Sequence, residues 1–269
     1  MQTVSSSQHK ERDMADTYLI TGGTSDIGLE LLRLLLAVGS DDDRFIVQGF
    51  SNLAAIEPLK REYPGRIEGF AVDLSNPPAV QSFIEAVQKQ YGTISRFAHM
   101  PAMRMVYADF KDFDEERFGR AFQLQVGSAI AICKHIMPRM AELGRGRVLF
   151  ILSSIIVGMP PMHCAAYSML KHALHGLVKS LASDYAAHNV TVNAVAPSLI
   201  DTKVISAAPQ AAIQPSVVSN PMPRNCPPAH LAPAMAFFPC DCTHFTPAVT
   251  PPISSCLVIY TIFQCTLFH

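Results

Sequence analysis

The chain has 269 residues, of which 49 % are hydrophobic and 16 % are charged, and its formal net charge is −1. This composition excludes an intrinsically disordered chain, which carries more charge and fewer apolar side chains. The near-neutral charge gives no electrostatic basis for binding nucleic acid or an anionic membrane surface, so neither is expected as a partner. The length suits one α/β domain.

Short apolar runs alternate with segments of helical periodicity from residue 17 onward. The runs predict six strands, at residues 17–21, 44–49, 66–72, 94–100, 147–153 and 190–196. The periodic segments predict helices at residues 27–38, 53–63, 80–91 and 167–188, and one long helix or two at residues 115–143. Because strands that alternate with helices form βαβ units, the pattern predicts an α/β fold, a doubly wound parallel sheet with helices on both faces.

The two ends of the chain differ in composition from this alternating core. Residues 1–16 are polar and lack the apolar region of a secretory signal. This composition predicts a flexible tail, followed by a single domain over residues 17–269. Eleven of the 20 prolines lie in the last quarter of the chain. Because proline interrupts regular structure, we expect a substrate loop or lid at residues 198–228 and an atypical C-terminal segment at residues 240–269.

The seven cysteines form no disulfide framework, since their number is odd and their spacing irregular. We therefore expect reduced thiols in a cytoplasmic protein. Cys240, Cys242 and His244 lack the usual spacing of a zinc site, so no metal is expected. The most apolar stretch, at residues 256–268, is shorter than the ~20 residues that span a bilayer.

A glycine-rich turn, TGGTSDIG at residues 21–28, follows the first predicted strand and opens the first predicted helix. Glycines let the backbone approach a diphosphate, and the helix N-terminus offers free N–H groups to it. The alternative is an ordinary tight turn in which Asp26 caps the helix. The strand–turn–helix context favours the phosphate site.

Tyr167 and Lys171 are four residues apart and share one face of the last long helix. An ammonium group beside the phenol lowers the tyrosine pKa from its usual ~10 and makes the tyrosine a usable general acid. Ser154 ends the fifth strand, at the edge where α/β sheets bind ligands, and its hydroxyl could hold a substrate oxygen. Alone, the tyrosine–lysine pair would more often be an exposed helix pair; together with the serine and the glycine turn it indicates catalysis.

In this order the motifs resemble the short-chain dehydrogenase/reductase superfamily, over residues 17–202. TGGTSDIG corresponds to the family's TGxxxGxG turn, and Ser154, Tyr167 and Lys171 correspond to its Ser-Tyr-Lys set. The resemblance implies a Rossmann-type fold and hydride transfer between a nicotinamide cofactor and a carbonyl or alcohol. It also implies that Tyr167 donates the proton in reduction, that Lys171 holds the nicotinamide ribose, and that Ser154 orients the substrate oxygen.

The resemblance extends the set of implied site residues. Gln125 takes the place of the helix asparagine that completes the family's proton relay, and Asp73 with Leu74 resembles the adenine contacts. The implied cofactor-binding residues lie in the glycine turn, on the catalytic helix and after the strands: Thr21, Gly22, Thr24, Ser25, Asp26, Ile27, Gly28, Ser51, Asn52, Asp73, Leu74, Pro101, Tyr167, Lys171, Pro197, Ser198, Ile200 and Thr202.

Several positions depart from the family pattern. Asp26 replaces the middle glycine of the turn, HMPA at residues 99–102 replaces NNAG, and Ser198 replaces a glycine. Prolines replace the glycines expected near the C-terminus. These departures leave open an alternative in which the fold is used for non-redox chemistry, as a lyase, isomerase or cyclase, or in which the chain is a disabled paralogue.

The second strand is followed by Phe50, Ser51 and Asn52, with no acidic residue to bind the ribose 2′-hydroxyl. Ser51 and Asn52 can instead donate hydrogen bonds to a 2′-phosphate, which favours NADP, with NAD as the alternative. The expected substrate is a small carbonyl or alcohol, such as a ketone of secondary metabolism, a β-ketoacyl thioester or a polyol. The resemblance also implies a homo-oligomer, a dimer or tetramer.

Overall fold

The computed structural model of the chain describes residues 15–202, 225–240 and 248–253. Within these residues, one sheet has the strand order β3-β2-β1-β4-β5-β6-β7, and every neighbouring pair is parallel. The strands are β1 (Thr17–Thr21), β2 (Arg44–Gly49), β3 (Ile67–Ala71), β4 (Arg96–His99), β5 (Gly146–Ile151), β6 (Val190–Pro197) and β7 (Pro252–Ile253). The first six confirm the strands that the apolar runs predict.

Helices cover both faces of the sheet. They are α1 (Asp26–Val38), α2 (Glu57–Glu62), α3 (Pro77–Tyr91), α4 (Glu115–Phe122), α5 (Ser128–Leu143), α6 (Ala165–Tyr185) and α7 (Pro228–Phe237). Strand β1 shows the two faces: Leu19 belongs to a core with α3, α5 and α6, and Ile20 to a second core with α1, α2 and α7. The arrangement confirms the doubly wound α/β fold.

The chain crosses the sheet between β3 and β4, which places β1 and β4 side by side where the strand order reverses. The segments after these two strands meet at the carboxyl edge, since a Cβ atom on Gly22 would lie 3.0 Å from the backbone nitrogen of Pro101. Gly22 has a φ of 70°, in the left-handed region that favours glycine. A doubly wound sheet binds its ligand at this edge.

Two of the predicted helical segments contain a turn that is not α-helical. The segment predicted as helix at residues 115–143 is α4 and α5 joined by a π-helical turn, Gln123–Gly127. The segment predicted at residues 53–63 begins with a 3₁₀ turn, Leu53–Ile56, before α2. Both differences change the helical hydrogen bonding within a continuous helical segment, and hydrophobic periodicity cannot detect a change on that scale.

Asp16, predicted as the last residue of the flexible tail, belongs to the folded domain. It is buried, and its carboxylate forms 2.9 Å ion pairs with Arg96 and Arg145. The Ser95 hydroxyl donates a 2.6 Å hydrogen bond to the same carboxylate. The predicted boundary is one residue late because a polar residue in a polar sequence gives no sign that it will be buried with charged partners.

The two segments predicted near the C-terminus are described only in part. Most of the substrate loop, residues 203–224, lies outside the described residues, as do Cys242 and His244. Residues 248–253 reach the sheet edge, where the Ala196 N–H donates to the Pro251 carbonyl at 3.0 Å. Within the described ranges, no three His, Cys, Asp or Glu side chains form a group that could hold a metal. None of the helices described there combines the length and apolarity that crossing a membrane requires.

Candidate active site

The glycine turn presents the N-terminus of α1 at the carboxyl edge of the sheet. Ser25 caps this helix, since its hydroxyl accepts a 3.1 Å hydrogen bond from the Gly28 N–H. The alternative in which Asp26 is the cap is therefore wrong, and Asp26 is the first residue of the helix. Its carboxylate adds a negative charge at the positive end of the helix dipole.

Close contacts explain why glycine occupies this turn. A Cβ atom on Gly28 would lie 2.6 Å from the Cα of Gly23 and 2.7 Å from the carbonyl oxygen of Gly22. Because these contacts are with backbone atoms, any side chain at residue 28 would push α1 away from the turn. The glycines thus bring the helix N-terminus to the sheet edge, as an anion site requires.

The side chain of Gln48, near the end of β2, holds this edge together. Its Oε1 accepts a 2.9 Å hydrogen bond from the Gly22 N–H, and its Nε2 donates a 2.7 Å bond to the Val72 carbonyl. The glycine turn is thereby linked to the segment after β3, which carries Asp73. Sequence reasoning missed Gln48, since a single polar residue inside an apolar strand has no motif around it.

A cleft of about 420 Å³ opens over the glycine turn. Six of the predicted cofactor residues line it, namely Gly22, Thr24, Ser25, Asp73, Leu74 and Pro101. The sequence analysis did not assign Phe50, Ser75, Met103 or Arg120, which line it as well. The close backbone approach at the turn and the size of the cleft fit a dinucleotide, with its diphosphate at the start of α1.

Asp73 is held by hydrogen bonds at one wall of this cleft. Its Oδ1 accepts from the Ser75 hydroxyl at 2.6 Å and from the Ser75 N–H at 2.9 Å. The Ser75 hydrogen bond is the main reason that the pKa of Asp73 is lowered, with a smaller effect from Arg120. The Arg120 guanidinium lies 3.9 Å from the carboxylate and brings a positive charge to the cleft.

The other predicted cofactor residues lie around the same edge without lining the cleft. Thr21 is buried at the end of β1, Ile27 is in the first turn of α1, and Ser51 and Asn52 are exposed after β2. Four more follow or end β6: Pro197, Ser198, Ile200 and Thr202. The Ser198 N–H donates to the Ile253 carbonyl at 3.0 Å, so this segment is fixed by the last strand.

Lys171 is buried beneath Tyr167 on α6. Its ammonium donates a 3.0 Å hydrogen bond to the Ile151 carbonyl and lies 5.6 Å from the centroid of the Tyr167 ring. Burial lowers the pKa of Lys171 to about 8. Loss of solvation raises the pKa of Tyr167, so the net lowering expected from the neighbouring ammonium is absent. Desolvation of the phenol is the largest cause, and the effect that opposes it is hydrogen bonding with Ser153.

Two consecutive serines follow β5 and must be distinguished. The hydroxyl of Ser153 forms a side-chain hydrogen bond with Tyr167, which partly offsets the rise in the tyrosine pKa. Ser154 begins the short 3₁₀ turn Ser154–Ile156. No contact between the Ser154 side chain and Tyr167 is found among the described residues, and the role predicted for Ser154 stays a prediction.

His99 connects the glycine turn to the π-helical turn. Its Nε2 lies 2.8 Å from the Gln125 carbonyl oxygen, which can only accept, so Nε2 carries the proton. Nδ1 is then an acceptor, and the Thr21 hydroxyl donates to it at 2.8 Å. Burial lowers the pKa of His99 to about 3, so the ring is neutral. The segment HMPA thus replaces NNAG with a buried histidine bridge.

A second cavity, of about 230 Å³, lies beside the first. Its lining includes apolar side chains together with the predicted acid and the predicted relay residue: Met103, Phe113, Phe118, Leu170, Gln125 and Tyr167. Met103 lines both cavities, so the cleft and the cavity adjoin. At its rim, His163 Nδ1 lies 2.8 Å from Asp109 Oδ1, which joins the loop after β4 to the loop before α6.

Comparison with known proteins agrees with this geometry. A family model described as enoyl-(acyl carrier protein) reductase matches residues 44–249, more than half of the chain. The chain belongs to the short-chain dehydrogenase/reductase superfamily. The named relatives are dehydrogenases and reductases, and the glycine turn, the tyrosine and the lysine occupy one edge of the sheet in this chain.

Individual relatives of the superfamily cover most of the chain. A 3alpha-hydroxysteroid dehydrogenase of Mediterraneibacter gnavus is 28 % identical over 224 residues, which are 83 % of this chain and 89 % of the relative. An uncharacterized oxidoreductase of Bacillus subtilis is 32 % identical over 200 residues, 73 % of each chain. The fold matches a 3-oxoacyl (acyl-carrier-protein) reductase of Agrobacterium tumefaciens with NADP bound, at a TM-score of 0.80, 23 % identity and coverage of 94 % and 98 %.

Proposed function

We propose that the chain reduces a carbonyl compound to an alcohol with NADPH, and catalyses the reverse oxidation with NADP. The observation that carries the proposal is that Tyr167 lines a cavity adjoining the dinucleotide-sized cleft, with Met103 between them. Lys171 lies beneath the tyrosine ring. A proton donor beside a cofactor cleft is the arrangement that carbonyl reduction needs, since the reaction requires both a hydride and a proton.

The residues of the carboxyl edge would hold the cofactor, which supplies the hydride when bound. The N-terminus of α1 suits the diphosphate, because the helix end attracts anions. Asp73 and Leu74 suit the adenosine, and Lys171 suits the nicotinamide ribose. NADP is favoured over NAD for two reasons. The three residues directly after β2 include no acid, and Arg120 brings a positive charge to the cleft.

In the reduction, the carbonyl carbon takes the hydride and the carbonyl oxygen takes the proton of the Tyr167 hydroxyl. The raised pKa of Tyr167 keeps the phenol protonated at neutral pH, so the proton is available. The tyrosinate left behind lies near the Lys171 ammonium, whose charge stabilises it until a proton returns. A serine hydroxyl after β5 orients the carbonyl oxygen; the family spacing points to Ser154, and the hydrogen bond with Tyr167 points to Ser153.

The lining of the second cavity combines apolar side chains with charged ones such as Asp112 and Arg117, and its apolar part supports a substrate with an apolar body. Met103, Phe118 and Leu170 can contact such a body, and methionine adapts its shape to different groups. A ketone or a β-ketoacyl thioester with an apolar body fits these three side chains. The hydroxysteroid dehydrogenase and the acyl-carrier-protein reductase among the similar proteins are named for compounds of this kind.

The proposal is tested by following NADPH absorbance with purified protein and a panel of cyclic ketones and β-ketoacyl thioesters. The matched control is Tyr167→Phe, which removes only the hydroxyl. We expect oxidation of NADPH with at least one ketone, and a loss of about 100-fold or more in kcat in the variant. Wild-type rates in the variant would contradict the role of Tyr167. Binding of NADPH without turnover on any substrate would instead favour the non-redox alternative.

A further inference from the structure

The substrate cavity contains a buried polar atom without a partner. Gln125 is 1 % exposed and lines the cavity with Tyr167 and Leu170. Its side-chain oxygen Oε1 is buried and has no hydrogen-bond partner among the described residues. Because an unpaired buried amide oxygen destabilises a fold, such atoms are rare unless a ligand or water supplies the donor. Its place in a ligand cavity points to a donor on the ligand.

The amide of Gln125 is held in a fixed backbone. Gln125 is the central residue of the π-helical turn Gln123–Gly127, and its carbonyl accepts the 2.8 Å hydrogen bond from His99. His99 is itself buried and neutral, and Thr21 fixes its other nitrogen. Since π-helical turns often occur at functional sites, this one holds the Gln125 side chain in a fixed place in the wall of the cavity. The backbone carbonyl of Gln125 is thus occupied by His99, while the side-chain Oε1 has no partner among the described residues.

We propose that Gln125 determines specificity by accepting a hydrogen bond from a hydroxyl group of the substrate while Tyr167 protonates the carbonyl. The substrate is then a hydroxyketone with an apolar body, and the product is a diol. This inference rests on the proposed reductase function and adds a second polar contact to it. A ketone without the hydroxyl leaves Oε1 unpaired in the complex and is therefore a poorer substrate.

The test compares pairs of ketones that differ by one hydroxyl group, placed on the first or the second carbon from the carbonyl. The quantity measured is the ratio of kcat/KM for the hydroxyketone to that for its parent ketone. We expect the ratio to be about 10-fold or more in the wild type for at least one pair. In Gln125→Met, which keeps the length of the side chain but has no amide, the ratio should fall to about one.

The matched control is Gln123→Met, in the same π-helical turn but outside the lining of the cavity. This variant should keep the wild-type ratio whatever happens to its absolute rate. Because both ketones are measured with one enzyme sample, partial loss of folded protein cancels from the ratio. Should Gln125→Met not fold, Gln125→Asn retains an amide but draws it back by one methylene, and its ratio should also fall.

Each remaining result contradicts the inference in a distinct way. A wild-type ratio near one for every pair, with the ketones still reduced, would refute the role of Gln125 and leave the reductase function intact. A high ratio that persists in Gln125→Met would place the specificity elsewhere in the cavity. If the wild type reduces no ketone of any pair, the proposed function fails and this inference fails with it.

Discussion

The ammonium nitrogen of Lys171 lies 5.6 Å from the centroid of the Tyr167 ring and donates a hydrogen bond to the Ile151 carbonyl at the end of β5. The lysine is therefore fixed to the sheet while the tyrosine faces the cavity. Loss of solvation shifts the two pKa values in opposite directions, raising that of Tyr167 and lowering that of Lys171. Both shifts favour the neutral form of the side chain. The tyrosine is therefore protonated at neutral pH, as the role proposed for it requires.

Replacing Lys171 by Met should stabilise the fold while removing activity. Burial lowers the pKa of Lys171 from 10.5 to about 8, so below pH 8 the folded state carries a charge that the unfolded state solvates better. We expect the free energy of unfolding at pH 7 to rise by about 1–3 kcal/mol in Lys171→Met, with the lost bond to Ile151 reducing the gain. Urea unfolding measures the change.

The pH dependence provides the check on this explanation. Between pH 8 and 10.5 the unfolded state binds the lysine proton and the folded state does not, so wild-type stability should rise with pH in this window. Lys171→Met should lack that rise. A variant that is less stable at pH 7 and follows the wild-type slope would refute the buried charge as the cause.

Replacing His99 by Gln should protect the fold against acid. The pKa of His99 is lowered to about 3 in the folded state, so as the pH falls from 6.5 to 3 only the unfolded state gains the proton. Wild-type stability should therefore fall by about 1.4 kcal/mol per pH unit from this residue. A glutamine amide can donate to Gln125 and accept from Thr21 without titrating, so His99→Gln should show a shallower loss.

The control for this prediction is His188→Gln, at an exposed histidine after α6. This variant also removes one histidine, but it leaves the hydrogen bonds of His99 with Thr21 and Gln125 in place. Thermal unfolding from pH 7 to pH 4 should separate the two variants. Equal acid slopes in wild type and His99→Gln would show that the bridge does not carry the acid sensitivity.

Replacing Arg120 by Leu should weaken NADPH binding more than NADH binding. Among the described residues that line the cofactor cleft, Arg120 is the only cationic side chain, and its guanidinium lies next to Asp73 and Ser75. A nearby positive charge favours the extra phosphate of NADPH. We expect a loss of about tenfold for NADPH and little change for NADH, by calorimetric titration.

Arg33→Leu removes the same charge from an exposed position on α1 and serves as the control. Its affinities for both cofactors should equal those of the wild type. Equal losses of affinity for NADPH and NADH in Arg120→Leu would show that Arg120 contacts a part of the cofactor that both share, and not the extra phosphate of NADPH.

The variants Ser153→Ala and Ser154→Ala test which serine orients the substrate. The hydrogen bond with Tyr167 points to Ser153, and the family spacing points to Ser154. Because the Ser153 hydroxyl is the one bonded to Tyr167, we expect Ser153→Ala to lower kcat by about tenfold or more and Ser154→Ala to lower it less. The comparison needs only one ketone that the wild type reduces. A larger loss in Ser154→Ala would show that the spacing identifies the serine and that Ser153 only supports the tyrosine.

The fold and one edge of the site could be predicted from the sequence because both depend on local patterns. Alternating apolar runs and helical periods identify the six strands, and the glycine turn predicts the start of α1 at the cofactor cleft. Tyr167 and Lys171 are a local pair on one helix, so their shared face follows from their spacing. The helix cap was misassigned by one residue, because Ser25 and Asp26 are both good capping residues.

The remaining features depend on residues that are distant in sequence. Contacts with other strands and turns place three further residues at the site, namely Gln48, His99 and Arg120. No local sequence pattern predicts these contacts. The neutral state of His99 follows from burial that only the folded chain provides. The raised pKa of Tyr167 was predicted with the wrong sign for the same reason, since spacing shows the neighbouring charge but not the desolvation.

The most direct test of this account is a calorimetric titration of the folded protein with NADPH and then with NADH. We expect saturable binding of NADPH with a dissociation constant on the order of micromolar, and weaker binding of NADH. Binding would show that the glycine turn accepts a dinucleotide despite Asp26. If a protein with intact secondary structure and a cooperative unfolding transition binds neither cofactor, the assignment of the cleft and the reductase function is contradicted.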